Sequence, residues 1–466
     1  MKKAKYIIYT VICLLILCIP SAGLLLSWQN TEPGNEKKSA MPKLVKEDGK
    51  IDLLYLQNLG NYFQQNFAFR SNFVTTNARI LSGIGVSADD GVIDGTDGWL
   101  YYSDSLDDYL KQNLLSDRAI YNIAHTMAMT QEYVETQGVR FLYVPVPNKN
   151  TLYGEQMPYY YGYKADEDEV GNLQRLYVLL EEEGINAVNL LKKFEQQEKV
   201  LYHRTDSHWT NEGAALAAGE ILEAVGREHY DYEQEPYEIR NDFVGDLEEM
   251  LYPADLRSEE EVYYAKEANF TYDEEVSSNF YPKIDTTNPE ADGSLVMYRD
   301  SFGNALLPFI AENFGKAYFS RAVPYYLSDI IVHQADTLII ERAERFLPDT
   351  VKNPPVFAGK ILLSLPGDAE LALEAYPRTN MGQETELHIS SMGTLLQLDG
   401  VLDPTQCTEK SRIYVELDGL YYEAMPICVE LDGTWYDYGF RLYVNGEPEE
   451  NDGTEHSVRV FVTKDI

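Results

Sequence analysis

Seven histidines are available for chemistry, and five read as structural or solvated: His125 in a helical pattern with no nearby acid, His229 in a charged loop, His333 before a strand, and His388 and His456 near the C-terminus. His203 and His208 remain, in the run Tyr202-His203-Arg204-Thr205-Asp206-Ser207-His208-Trp209-Thr210-Asn211. Asp206 and His208 are two apart. In an extended segment that spacing turns both side chains to one side, so the carboxylate sets the tautomer and orientation of the imidazole. Such a base needs a nucleophile. The best candidate is Ser301, in Leu295-Val296-Met297-Tyr298-Arg299-Asp300-Ser301-Phe302-Gly303-Asn304, an apolar run that ends in polar residues and leads into the helix-like Ala305–Phe314. A strand-to-helix turn of this kind projects its serine at the C-terminal edge of a sheet, where the amides opening the helix stabilise an oxyanion. The plainer alternative is that Ser301 only caps the helix.

These residues need a sheet to hold them. From about 51 to 350, short uncharged runs (Val139–Pro145, Ile185–Leu190, Leu295–Tyr298, Ala317–Phe319 and Thr337–Ile340) alternate with helical patterns over Tyr121–Gln137, Asn172–Glu183 and Glu212–Val225. That alternation predicts a catalytic α/β unit over 51–350, with a parallel sheet and helices on both faces. Near Pro354–Gly359 the pattern changes. Residues 360–466 read as strands joined by Asp418-Gly419, Asp432-Gly433 and Asn445-Gly446, dipeptides suited to tight hairpins, and predict an all-β, sandwich-like domain. Trp435, Tyr421, Tyr422, Tyr436 and Tyr438 crowd into it, which leaves open a carbohydrate-binding surface or a plain structural or docking module.

Lys2, Lys3 and Lys5 precede an uncharged stretch from Tyr6 to Trp28, long enough to span a bilayer core of ~30 Å. Residues 1–30 therefore read as a retained signal-anchor with its N-terminus inside, residues 31–50 as a linker, and the remainder as a single ectodomain outside the cytoplasm. Cys13 and Cys18 fall in the apolar stretch; Cys407 and Cys428 are read either as one disulfide or as two separate thiols. The 76 Asp and Glu outweigh 38 Lys and Arg, for a net charge of −38, which repels a phosphate backbone and excludes nucleic-acid binding. No CxxC or HExxH occurs, so neither a metal nor a cofactor is expected. In so acidic a chain, Lys149, Arg204, Arg299 and Arg321 stand out as basic residues near the motifs and are candidate substrate contacts. Trp209 is a further one, or packs the histidine loop.

The order Asp206, His208, Ser301, with the blocks Asp206-Ser207-His208-Trp209 and Arg299-Asp300-Ser301-Phe302-Gly303, resembles the DHHW proteins and the polysaccharide O-acetylation proteins of the AlgX/AlgJ group. So do Tyr62-Phe63 with Phe67-Ala68-Phe69-Arg70, Gly95–Tyr101, Pro147-Asn148-Lys149, Gly245-Asp246-Leu247 and Glu341-Arg342-Ala343-Glu344-Arg345. The resemblance covers about residues 50–347. Ser207 stands where the name-giving pattern has a second histidine. The resemblance implies an SGNH-hydrolase-like three-layer fold and extracytoplasmic O-acetyl transfer to a cell-surface or secreted polysaccharide. It further implies a membrane-bound O-acyltransferase as the partner that supplies acetyl groups. The same triad also runs a polysaccharide acetylesterase, and a non-catalytic glycan-binding scaffold of an envelope assembly is the alternative outside enzyme chemistry. A subtilisin-like protease fits poorly, because its acid and base stand on separate elements. A metal site built from His203, Asp206 and His208 lacks visible supporting groups.

Overall fold

In the computed structural model, residues 2–26, 40–46, 49–162, 169–232, 234–276, 278–378, 387–431, 433–446 and 454–464 are described. The chain opens with helix α1 (Lys2–Leu25), whose segment Lys5–Leu24 is apolar and long enough to cross a membrane. Two further helices, α2 (Tyr55–Asn66) and α3 (Arg70–Ser82), precede the first sheet. Then come α4 (Asp117–Glu135), β1 (Arg140–Val146), α5 (Asn172–Glu182), α6 (Asn211–Ala224), β2 (Thr271–Tyr272), β3 (Lys283–Thr287), β4 (Ser294–Tyr298), α7 (Gly303–Ala311), β5 (Lys316–Ser320) and β6 (Thr337–Ala343).

The six strands β1 to β6 form one sheet in the order β1-β6-β4-β5-β3-β2. Strands β1, β6, β4 and β5 are parallel, whereas β3 pairs antiparallel with β5, and β2 antiparallel with β3, so the sheet is mixed and not wholly parallel as expected. The central strands read as continuous apolar runs because both of their faces are covered. Phe141, Tyr143, Val296, Tyr298, Leu338 and Ile340 pack with Ile120, Ile123, Met127 and Leu176 of α4 and α5. The alternate residues Leu142, Val144, Leu295, Met297 and Ile339 pack with Ala217, Ile221, Leu306 and Ile310 of α6 and α7. The missed strand β3, one in from the edge, buries only Ile284 and Thr286, which gives a weak period-two signal. Conversely, Ile185–Leu190 is no strand. It touches β1 through a single bridge at Ala187–Tyr143, after which Asn189 caps a short helix by accepting from the Lys192 amide.

The C-terminal strands are β7 (Glu370–Ala375), β8 (Leu387–Met392), β9 (Leu395–Val401), β10 (Ile413–Leu417), β11 (Leu420–Leu431), β12 (Thr434–Asn445) and β13 (Val458–Val462). All pair antiparallel in the order β7-β13-β10-β11-β12-β9-β8, with Ile361–Leu362 added against β11. This corrects the sandwich: one sheet curls into a half-barrel around a single core that includes Ile389, Leu398, Val415, Phe440, Leu442 and Val460. Strands β11 and β12 are each twelve residues long, and a register shift between Ile427 and Val429 lets the pair bend and serve both halves. Asp418 and Gly419, both at positive φ, make the expected two-residue turn between β10 and β11. Asp432 lies outside the described residues. The crowded aromatics split between surfaces, with Tyr422 buried and Trp435 and Tyr436 exposed. Cys407 and Cys428 are separate free thiols.

Helix α4 is buried on nearly every side because the half-barrel packs on the face turned away from the mixed sheet. Its polar residues meet partners there. Arg118 donates to the carbonyls of Glu409 and Ser411, Asn122 to that of Asp437, and Thr126 to that of Pro426. His125 sits between Glu423 (2.8 Å) and Glu183 (3.5 Å), two acids distant in sequence that the helical context alone did not reveal.

Candidate active site

The segment carrying Asp206 and His208 is a closed loop and not the extended stretch expected. Tyr202 bridges Trp209, and the His203 amide donates to the His208 carbonyl. Inside the loop, Asp206 Oδ1 accepts from the His208 amide (2.8 Å) and lies 2.7 Å from His208 Nδ1. The aspartate thus turns the backbone and aims the ring with one oxygen. Its other oxygen accepts the Asp246 amide at 2.8 Å. Burial opposes charge on both groups, but their mutual hydrogen bond and attraction outweigh it. The Asp206 carboxyl is held below the usual carboxylate range and the His208 imidazole above the ordinary histidine value.

Three structures brace this loop. Lys149, fully buried, donates its ammonium hydrogens to the carbonyls of Leu100 (2.5 Å), Arg204 (2.8 Å) and Asp206 (3.0 Å) and lies over the rings of Trp99 and Tyr101. Burial depresses its pKa to about 7, against the pull of the Asp206, Glu259 and Asp246 charges. His203 is stacked on Phe243 at 3.6 Å with Nε2 2.9 Å from Glu261, and Glu259 in turn accepts the amides of Arg204 and Thr205. Gly245 presses against the loop from the other side. A Cβ there would meet the Thr205 carbonyl oxygen at 2.1 Å, so only glycine lets the Asp246 amide reach Asp206. The Asp246 carboxylate accepts the Ser207 amide (2.9 Å) and hydroxyl (2.7 Å). Asp206, His208 and Asp246 are close enough together to hold a cation, but every carboxylate oxygen of the two aspartates already accepts a hydrogen bond.

Ser301 lies between β4 and α7 at the C-terminal edge of the sheet, half-buried. It is not the cap: Asp300 Oδ1 accepts the Phe302 amide (2.9 Å) and Oδ2 accepts the Ala343 amide (2.8 Å), leaving the Ser301 hydroxyl unengaged among the described residues. Beneath it, the Glu341 carboxylate accepts the Asp300 amide at 3.0 Å. Burial and the Asp300 charge push the Glu341 pKa well above the usual range. The His208 ring stands edge-on to Phe302, the residue after Ser301, with centroids 5.0 Å apart, and its buried Nε2 has no hydrogen-bond partner among the described residues.

Other proposed contacts fall elsewhere. Arg299 is 2% exposed and donates to Asn304 Oδ1 and to the carbonyls of Asp300, Asn279 and Tyr281, so it clamps the serine turn instead of facing substrate. Lys149 is likewise spent on carbonyls. Trp209 is buried edge-on to Phe302 at 5.0 Å and serves packing. Arg204 is exposed. Arg321, directly after β5, is half-buried and its side chain makes no hydrogen bond or ion pair among the described residues. Sequence reasoning assigned no role to Asp246 or Glu341. A charged residue ending the apolar run Leu338-Ile339-Ile340 was a visible signal for Glu341, and both residues lay in blocks that carry the resemblance, Gly245-Asp246-Leu247 and Glu341–Arg345.

Residues 92–279 match the family model described as the SGNH hydrolase-like domain of the acetyltransferase AlgX. The matched span contains Lys149, Asp206, His208 and Asp246 and stops short of Ser301. Among curated relatives, the chain is 28% identical over 142 residues to a protein described as a probable alginate O-acetylase, AlgJ, of Pseudomonas syringae pv. tomato. That match spans 29% of this chain and 34% of the relative's length. Among solved structures, Bacillus cereus PatB1 is 17% identical, with TM-score 0.44 over 55% of this chain and 96% of PatB1. A DHHW family protein from Eubacterium siraeum is 16% identical, with TM-score 0.38 over 48% of this chain and 85% of its own.

Proposed function

We propose that the chain is an extracytoplasmic polysaccharide O-acetyltransferase, held at the membrane by α1, that works through an acetyl-serine on Ser301. One observation carries the reading: an imidazole oriented by a buried aspartate at 2.7 Å presents an unsatisfied Nε2 beside the turn that bears an uncommitted serine. His208 Nε2 takes the proton from Ser301 Oγ as that oxygen attacks the acetyl carbonyl. The Nδ1–H stays with Asp206, and the imidazolium then protonates the departing donor oxygen. In the second half, a sugar hydroxyl gives its proton to Nε2 and attacks the acetyl-serine carbonyl; the bond to Ser301 Oγ then breaks, Nε2 returns the proton to that oxygen, and the acetylated sugar leaves. Amides opening α7 are the proposed oxyanion donors. Arg321 is the proposed glycan contact, and a membrane-bound O-acyltransferase the proposed acetyl donor. The C-terminal half-barrel is the proposed glycan-holding or docking unit.

The test is intact mass and acetate release after incubation with an activated acetyl ester, for wild type, Ser301→Ala and His208→Ala. An adduct of about one acetyl group that disappears in Ser301→Ala supports the reading. Equal inertness of all three proteins with glycan binding intact would replace the enzyme with a binding scaffold.

A further inference from the structure

Helices α2 and α3 are amphipathic the wrong way round for a water-facing surface. Helix α3 turns the small and polar Ser71, Thr75 and Ala78 inward, while Phe73 and Ile80, seven residues apart on the opposite face, are exposed, the latter by 64%. Ile84, one turn further, is 72% exposed. Helix α2 buries none of its twelve residues; Leu56 and Phe63, seven apart, share one exposed stripe, Leu56 by 79%, and Leu53 just before the helix is exposed as well. An ordinary surface helix has the reverse pattern, and an exposed patch of this kind marks a missing partner.

Charge and position identify the partner. Residues 51–86 hold only three charged side chains, Asp52, Arg70 and Arg79, in a chain of net charge −38, and residues 31–86 have seven Lys and Arg against five Asp and Glu. The acidic balance therefore lies entirely beyond residue 86. The amide of Ala68, at the corner between α2 and α3, donates to the carbonyl of Pro20, four residues before the end of the apolar span Lys5–Leu24. The corner thus sits at the level of the last turn of that span. Tyr55 and Tyr62 supply rings of the kind that settle at a headgroup boundary.

We infer that α2 and α3 lie flat in the outer interface of the bilayer that α1 crosses, with Leu53, Leu56, Phe63, Phe73, Ile80 and Ile84 among the acyl chains. This rests on α1 being a membrane anchor. The consequence is orientation: three helices instead of one flexible tether fix the ectodomain against the membrane, with the acidic part of the chain, beyond residue 86, outside the layer that α2 and α3 occupy.

The test uses the full chain in nanodiscs of phosphatidylcholine and phosphatidylglycerol, with a photoactivatable benzophenone side chain placed singly at Leu56, Ile80, Leu15 in α1, or Leu363 on the half-barrel. None of the four side chains is buried within the protein, so folding is preserved. Illumination is expected to add the mass of one phospholipid at Leu56 and Ile80 with a yield within about threefold of that at Leu15, and none at Leu363. Lipid adducts at Leu15 without any at Leu56 and Ile80, or cross-linked dimers at those two positions, overturn the inference while leaving the anchor intact. Absence of lipid adducts at Leu15 overturns the anchor, and the inference with it.

Discussion

Asp206→Asn tests the proton relay most directly. Asp206 Oδ1 accepts two donors, the amide and ring of His208, and Oδ2 accepts the Asp246 amide. An asparagine has one acceptor and one NH2. If its oxygen keeps His208, the new NH2 faces the Asp246 amide, donor against donor. If it flips, the NH2 faces His208 and the ring is stabilised in the wrong tautomer. Either arrangement leaves a buried donor unmatched, which costs ~1–3 kcal/mol, and the turnover number falls on the order of 10³–10⁴-fold, as for loss of the orienting acid in a serine triad. The pH profile adds a signature with a definite sign. Asp206 raises the His208 pKa, and the base acts only when neutral, so activity of the wild type rises with pH through a midpoint above the ordinary histidine value. Removing the carboxylate moves that midpoint to lower pH even as the plateau drops. Steady-state hydrolysis of an activated acetyl ester between pH 5 and 9 (about the range in which histidine titrates) reads both effects. A variant that keeps more than about a tenth of wild-type turnover, or whose acid limb moves upward, refutes the assignment of Asp206 as orienting acid.

Three further outcomes are expected. Burial disfavours charge on His203, but hydrogen bonds and attraction to Glu259 and Glu261 outweigh it and lift its pKa from 6.5 to about 9. The protonated ring therefore stabilises the fold fully below about pH 6.5, and the effect fades as pH rises through about 9. At ~1.4 kcal/mol for each tenfold change in proton affinity, that rise is worth about 3 kcal/mol, so the unfolding free energy from urea titrations should lose about that much more across the window in wild type than in His203→Gln, Lys149 and His208 titrating alike in both. Lys149→Met keeps the apolar stem but strands the carbonyls of Leu100, Arg204 and Asp206; a loss of ~3 kcal/mol in thermal or chemical unfolding and at least a tenfold loss of turnover should follow. Gly245→Ala drives a methyl into the Thr205 carbonyl and displaces the Asp206 loop. A shift of ~1 Å there should lower turnover on the order of 10²-fold while far-UV circular dichroism is unchanged.

Composition and local pattern were enough for some of this architecture. The apolar strand runs, the alternating helices, the Asp418-Gly419 turn and the uncharged N-terminal stretch are local signals, because each depends on neighbours within a few residues. The pairing of Asp206 with His208 was legible for the same reason, although a closed turn achieves it where an extended segment was expected. What depended on distant chain was not legible. Lys149 and Arg299 read as spare cations until the fold buried them among carbonyls from residues up to 57 positions away. His125 acquired Glu423 only because the half-barrel docks on α4, and Asp246 reached Asp206 only because Gly245 leaves room for backbone against backbone. Direction and curvature of strands were likewise invisible, since alternation fixes which face is buried but not whether β3 runs parallel or whether β11 and β12 bend one sheet or divide two. The sequence by itself determined which residues carry reactive groups and most of the central strands and helices, although Ile185–Leu190 proved no strand and β3 was missed. Tertiary structure alone decided which charges are buried and paired, and so which stay free for chemistry, because desolvation and long-range hydrogen bonds are set by packing between segments that no local pattern links.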